Sequence, residues 1–296
     1  MKICSWVLRT ALRRMPAASA LLAWRAHGEP LPQPAFTEAG FSICIQCWSF
    51  RHFTLFEALE MAAAAGAGAV ELYPGQRLGG GHGDATLEAT MPVDQLAAVI
   101  DQLKKHHLAA VNFGVVEIPN HEAEARKVFE FAKALGLYGL TTESLGAIDL
   151  LEKLSVDYAL NVCFHNHPRP TALWHPERLW QALEGRHPNL GMCADLGHWA
   201  SSGLNPLEMT RRYAPRIHAF HLKDRASLTE PSRDQPFGTG LIDLAEILRL
   251  AVRHGFRGNA TIEYEFNWQS NLAEIAQCVG FLRACAAQQQ KALLNC

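Results

Sequence analysis

From Phe41 onward the chain repeats one unit, a short and nearly continuous apolar run followed by an amphipathic segment. The runs cover 42–48, 67–73, 108–115, 138–143, 159–165, 190–195, 217–221 and 258–263. The segments 55–65, 92–106, 121–135, 147–158, 176–184, 206–213, 241–254 and 272–287 carry helical apolar spacing. The breakers agree with this division. Gly66, Gly136 and Gly255 follow helix ends, and Pro92, Pro176 and Pro206 sit at helix starts. Strands that read as unbroken apolar runs and alternate with helices form a covered parallel sheet. Eight such units in about 250 residues is the arithmetic of a (β/α)8 TIM barrel, a single domain placed here at residues 41–290. A doubly wound open sheet is the competing arrangement. It wants a glycine-rich phosphate turn after the first strand, and Ser49-Phe50-Arg51-His52 supplies none. The run Gly79-Gly80-Gly81-His82-Gly83 opens no helix after a strand and reads as a flexible lid or loop.

Residues 1–40 lie outside this pattern. Lys2, Arg9, Arg13 and Arg14 precede the first acid, Glu29, and an apolar stretch at 17–24 follows the arginine pair. That outline matches a weak twin-arginine export signal. Against it, Pro16 and Arg25 bracket a short apolar core, and no small-x-small cleavage site follows Trp24. The other reading is an unstructured leader. Pro30, Pro32 and Pro34 then read as a linker. The expected location is cytoplasmic, or periplasmic if the leader functions. No apolar run approaches the roughly 20 residues of a membrane helix. Lys plus Arg is 27 against 29 Asp plus Glu, so no nucleic-acid partner is expected. Cys44 and Cys47 form a C-x-x-C in a strand-like run with no second ligand pair, and read, like Cys163 and Cys193, as core residues.

In a TIM barrel, function sits where strands end and the following loops begin. Six of the eight ends carry ionisable side chains: Val70-Glu71-Leu72-Tyr73, Thr141-Thr142-Glu143, Phe164-His165-Asn166-His167, Asp195-Leu196-Gly197-His198-Trp199, His221-Leu222-Lys223-Asp224 and Ile262-Glu263-Tyr264-Glu265. Carboxylates crowded at one mouth repel each other unless a cation sits among them. Lys223, Arg51 and Arg225 can neutralise some of them, but give no reason for His165 and His221. The cluster therefore predicts one divalent metal. Residues two apart on a strand share a face, which points His165 with His167, Glu263 with Glu265, and His221 with Lys223. Oxygen-rich ligands with one imidazole favour Mn²⁺, with Mg²⁺ and Co²⁺ next and Zn²⁺ still open.

The runs Asp195-Leu196-Gly197-His198-Trp199, His221-Leu222-Lys223-Asp224, Gly238-Thr239-Gly240 and Ile262-Glu263-Tyr264-Glu265 resemble the sugar phosphate isomerase/epimerase family, with its xylose-isomerase-like TIM barrel. The resemblance covers residues 41–288. It implies a metal held by Asp195, His221 and Glu263. Ketose epimerases of the family place the remaining Glu on strand five, where this chain has His165-Asn166-His167. Inosose-dehydratase-like members, and barrels acting on 3-keto sugars, have a strand-four Glu and a strand-five His-x-His. Glu143, His165 and His167 match that pattern, so Glu143 is expected as the fourth ligand. The implied chemistry removes a proton alpha to a carbonyl, through an enediolate. Glu143 or Glu263 is the expected base, and His165 and His167 the proton carriers. His198, Lys223, Glu71, Trp48 and Trp199 are expected to contact a small carbohydrate. The strand-five departure points to elimination rather than epimerisation. Homo-oligomerisation stays open. Two rival classes are a nuclease of the apurinic-endonuclease type, which wants more histidine ligands and a basic face, and a non-catalytic sugar-binding barrel, which wants no complete ligand set.

Overall fold

The computed structural model describes residues 31–37, 39–228 and 232–294. The export-signal reading of Arg13, Arg14 and the stretch at 17–24 lies outside the described residues. Strands β1 (Ser42–Gln46), β2 (Ala69–Leu72), β3 (Ala109–Phe113), β4 (Gly139–Thr142), β5 (Asn161–His165), β6 (Leu190–Asp195), β7 (Ile217–Leu222) and, after a short ribbon, β10 (Asn259–Ile262) form a closed barrel. Every neighbouring pair is parallel, and β10 returns to pair with β1. The expected TIM barrel is therefore the fold.

The helices are α1 (Leu55–Ala64), α2 (Val93–Lys105), α3 (Glu122–Leu135), α4 (Ile148–Tyr158), α5 (Pro176–Leu183), α6 (Leu196–Ser201), α7 (Pro206–Tyr213), α8 (Leu244–Arg253) and α9 (Leu272–Leu294). Six stand close to the expected segments, and α9 starts as expected at Leu272 but runs on past 287 to Leu294. Helix α8 starts three residues late because Asp243 caps it, accepting from the Glu246 N–H. Two features were not announced by periodicity. Helix α6 is too short to show it, and the antiparallel ribbon β8 (Asp224–Arg225) with β9 (Asp234–Gln235) lies inside the connection from β7 to α8. The glycine run at 79–83 packs on the start of α1. The space a Cβ would need at Gly79 is filled by the Thr54 side chain, and His82 meets Phe56 edge-on at 5.7 Å. Among the described residues no helix is long and apolar enough to cross a membrane.

The main core lies between barrel and helices. The lumen is separate and layered. Its lower layer is small and neutral: Cys44, Ala69, Ala109 and Val111 on one side, Cys163, Cys193 and Ala219 on the other, with Tyr138 packed against both. The thiols are free, and burial pushes Cys193 up to about 12, so it stays protonated. From the amino-terminal ends of β1 and β10, a chain of buried hydrogen bonds crosses toward the mouth. Ser42 donates to Asn259, Asn259 to Asn112, Asn112 to Thr141, and Thr141 Oγ1 to Glu71 Oε1 at 2.6 Å.

Candidate metal centre

The chain of bonds ends under the mouth, where the ionisable residues meet. One ligand atom each from His165, Asp195, His221 and Glu263 lies within 4.8 Å of the others, and all four residues are buried. His165 Nε2 is 3.6 Å from Asp195 Oδ2, and His221 Nδ1 is 3.2 Å from Glu263 Oε2. Three of these atoms, His165 Nε2, Asp195 Oδ2 and His221 Nδ1, have no partner in hydrogen-bonding geometry. Lys223 Nζ stands 2.9 Å from Asp195 Oδ2, a charge contact without the hydrogen-bond angle. A buried polar atom left without a partner costs about 1–3 kcal/mol. Three of them converging is what a divalent cation would resolve, and two imidazoles with two carboxylates is a donor set such a cation accepts. The expected manganese preference rested on a single imidazole among oxygens. With two imidazoles that preference loses its support, and the set suits zinc equally well.

Local structure aims each group. Asp195 ends β6 and caps α6. Its Oδ1 accepts the His198 N–H at 2.7 Å, leaving Oδ2 for the site. Asn166 fixes the neighbouring strand end, bonding both the N–H and the carbonyl of Asp195. His221 Nε2 lies 3.0 Å from Glu71 Oε2, and His165 Nδ1 lies 3.2 Å from Glu143 Oε1. The same Glu143 oxygen takes His167 Nδ1 at 2.5 Å. Lys223 is almost fully buried and within 2.9 Å of Asp195, Glu263 and Glu265. Burial pulls its ammonium down, but Asp195, Glu263 and Glu265 together lift it well above the usual range, so it stays charged. Burial and the nearby Lys223 outweigh the pull of Asp195 and hold His198 neutral, down at about 2. Partial burial pushes Glu143 up, yet the bonds from His165 and His167 prevail and set it at about 2.

A cleft of about 290 Å³ opens above the cluster. Trp48, Tyr73, Pro74 and Val115 give it an apolar wall, and His165, His167, His198, Lys223, Glu263 and Glu265 a polar one. Such a division suits a ring with one apolar face and several hydroxyls.

The structure sorts the sequence candidates. Asp195, His221 and Glu263 come together as expected, but the fourth member of their group is His165. Glu143 belongs to a second group with His165 and His167, on the far side of the His165 ring. Trp48, His198 and Lys223 line the cleft. Two expected sugar contacts are corrected. Glu71 is fully buried beneath His221 and does not reach the cleft, and Trp199 is 1% exposed, turned into the core by helix α6. Two polar cleft residues, Gln46 and Glu265, had no expected role. Gln46 shares a strand face with Cys44, and alternation alone places it at the mouth. Glu265 accepts Trp48 Nε1 at 3.1 Å and Lys223 Nζ at 2.7 Å, so it holds the apolar wall to the ion network.

A closed eight-stranded parallel barrel with a cluster of candidate metal ligands at the carboxyl ends of its strands defines a TIM barrel with a candidate metal site at its mouth. Residues 55–285 match the xylose isomerase-like TIM barrel family, and the chain belongs to it. It is 25% identical to rhizopine catabolism protein MocC of Rhizobium meliloti over 67% of this chain and 66% of that protein. It is 28% identical to inosose dehydratase of Bacillus velezensis over 40% of this chain and 45% of that protein. The matches thus leave a third or more of each curated relative unspanned. A crystal structure of an uncharacterised Parabacteroides distasonis protein superposes with TM-score 0.67 and 30% identity, over 83% of this chain and 99% of that one. Two more distant structures share the fold. A Mycobacterium smegmatis barrel in complex with magnesium has TM-score 0.69 and 14% identity, over 86% and 100% of the chains. The IolI protein with a bound zinc atom has TM-score 0.65 and 15% identity, over 83% and 98%.

Proposed function

We propose that this protein is a divalent-metal-dependent lyase that dehydrates or cleaves a keto-cyclitol or 3-keto sugar. The observation that carries the reading is His167, which lines the cleft with its Nδ1 on Glu143, beside an ion cluster that has an imidazole, His165, as its strand-five member. An epimerase needs two carboxylates on opposite faces of the substrate carbon, and Glu263 has no such counterpart on strand five. The likeness to inosose dehydratase supports the same class.

When bound, a divalent cation supplies Lewis-acid polarisation of a carbonyl. The rest falls to side chains of this chain. Glu263, on the cleft wall, takes the proton from the carbon alpha to the carbonyl. His167 has its Nδ1 on Glu143, so its Nε2 is left for the cleft. From there, as the imidazolium, it gives its Nε2 proton to the beta oxygen as that C–O bond breaks and the C=C bond forms, and is left neutral with its Nδ1–H on Glu143. A hydroxyl leaves as water, or a glycosidic oxygen as an alcohol. Lys223 holds Glu263 and Glu265 in place, and Trp48 and Tyr73 shield the apolar face of the ring.

The test is an NMR product screen in D₂O with metal-saturated protein, over inososes, 3-keto glycosides and free ketoses. The expected result is an elimination product from one of the first two classes. Epimerisation of a free ketose, with no elimination from the others, would overturn the proposal.

A further inference from the structure

Each imidazole of the ion cluster has a carboxylate behind it. His221 puts Nε2 3.0 Å from Glu71 and turns Nδ1 inward; His165 puts Nδ1 3.2 Å from Glu143 and turns Nε2 inward. The two rings thus face the centre through opposite nitrogens, and both inward atoms are the buried orphans. A carboxylate only accepts, so each outer nitrogen carries a proton, and a cation at the centre takes the place of any proton on the inner one.

We propose that Glu71 and Glu143 are paired positioning residues, each accepting the outer N–H of one imidazole so that its inner nitrogen is presented to the cation. The inference rests on the metal-site reading above and gives Glu143 a role behind a ligand. The two supports differ in construction. Glu71 is fully buried and held by Thr141 at the end of the lumen hydrogen-bond chain, so the orientation of His221 is tied to the barrel itself. Glu143 is 30% exposed at its side chain and divides one oxygen between His165 and His167. It therefore links a ligand of the ion to the proton carrier of the cleft. Loss of such a support typically weakens a metal site about 10–100-fold, well short of losing a ligand.

The full chain is tested with Zn²⁺ alone, by chelator competition, and by long-range ¹H–¹⁵N correlation of the histidine rings in the zinc-loaded protein. Glu143→Ala is expected to weaken Zn²⁺ binding about 10–100-fold with an unchanged melting temperature. Glu143→Gln, which keeps an acceptor oxygen, should recover part of that loss. Glu71→Gln should weaken binding about tenfold. The wild-type spectrum should show His165 protonated on Nδ1 and His221 on Nε2. Wild-type affinity in Glu143→Ala, or a loss as deep as that of Asp195→Ala, would overturn the proposal, the second by making Glu143 a ligand. Protonation of His165 on Nε2 would overturn it as well. None of these readouts involves turnover, so a failed lyase assay leaves the inference standing. Undiminished Zn²⁺ binding in Asp195→Ala would instead remove the metal site on which both rest.

Discussion

The lumen has two buried layers only a few residues apart along the same strands, and they are built oppositely. The lower layer, from Cys44 to Ala219, is small and neutral, closed by Tyr138. The upper one holds Asp195, Glu263, His165, His221 and Lys223, with three polar atoms left without hydrogen-bond partners. Both layers fill the same barrel, so closure does not require ionisable groups. The lower layer shows what packing alone selects. The upper one departs from it at a cost in stability, the pattern of residues kept for chemistry.

The deepest test of that contrast is Asp195→Ala. It should lower Zn²⁺ affinity by about a thousandfold or more and abolish turnover, while circular dichroism shows the barrel intact. Unfolding of that variant would make Asp195 a packing residue like those below it. Next comes His167→Gln, at the cleft edge of the upper layer. Turnover on the best elimination substrate should fall about 10²-fold or more at unchanged metal content. Metal loss there would place His167 among the ligands. In the lower layer the effects should reverse. Ala219→Leu overpacks the lumen and should cost about 1–3 kcal/mol in urea melts, with one metal still bound per folded molecule.

The smallest expected effect lies outside both layers, at the amino-terminal end of β7. Burial, helped by Arg216, holds His218 down at about 4. The unfolded chain therefore takes up this proton first. The contribution of His218 to stability is present above pH 6.5 and is lost as pH falls from there through 4. His218→Gln should flatten that part of the pH–stability curve without changing metal affinity. A curve as steep as wild type would assign acid sensitivity to the mouth instead.

The barrel was legible because its strands are apolar on both faces, a pattern no exposed sheet tolerates. The mouth was legible as a list of residues but not as a geometry. Alternation tells which face a side chain takes, not how high in the barrel it stands. Strand stagger sets that height. Glu71 shares the lumen side with the mouth residues, yet it sits beneath His221, next to the register shift between β2 and β3. Trp199 follows Asp195 by four residues, and a strand rule carried past β6 misplaces it. Helix α6 has begun by then and rotates it inward. Glu143 was expected on the ion, and His165 beside it as a proton carrier. Which one faces the ion depends on reach from two neighbouring strand ends, and spacing along the chain does not contain it.

That exchange is the central claim: the ion is held by His165, Asp195, His221 and Glu263, with Glu143 one step behind. X-ray absorption on the zinc-loaded protein counts imidazoles directly through their multiple-scattering signal. We predict two imidazole nitrogens at about 2.0–2.1 Å and two carboxylates at about 2.0–2.2 Å. A fit with a single imidazole and three carboxylate ligands would contradict the account and return Glu143 to the metal.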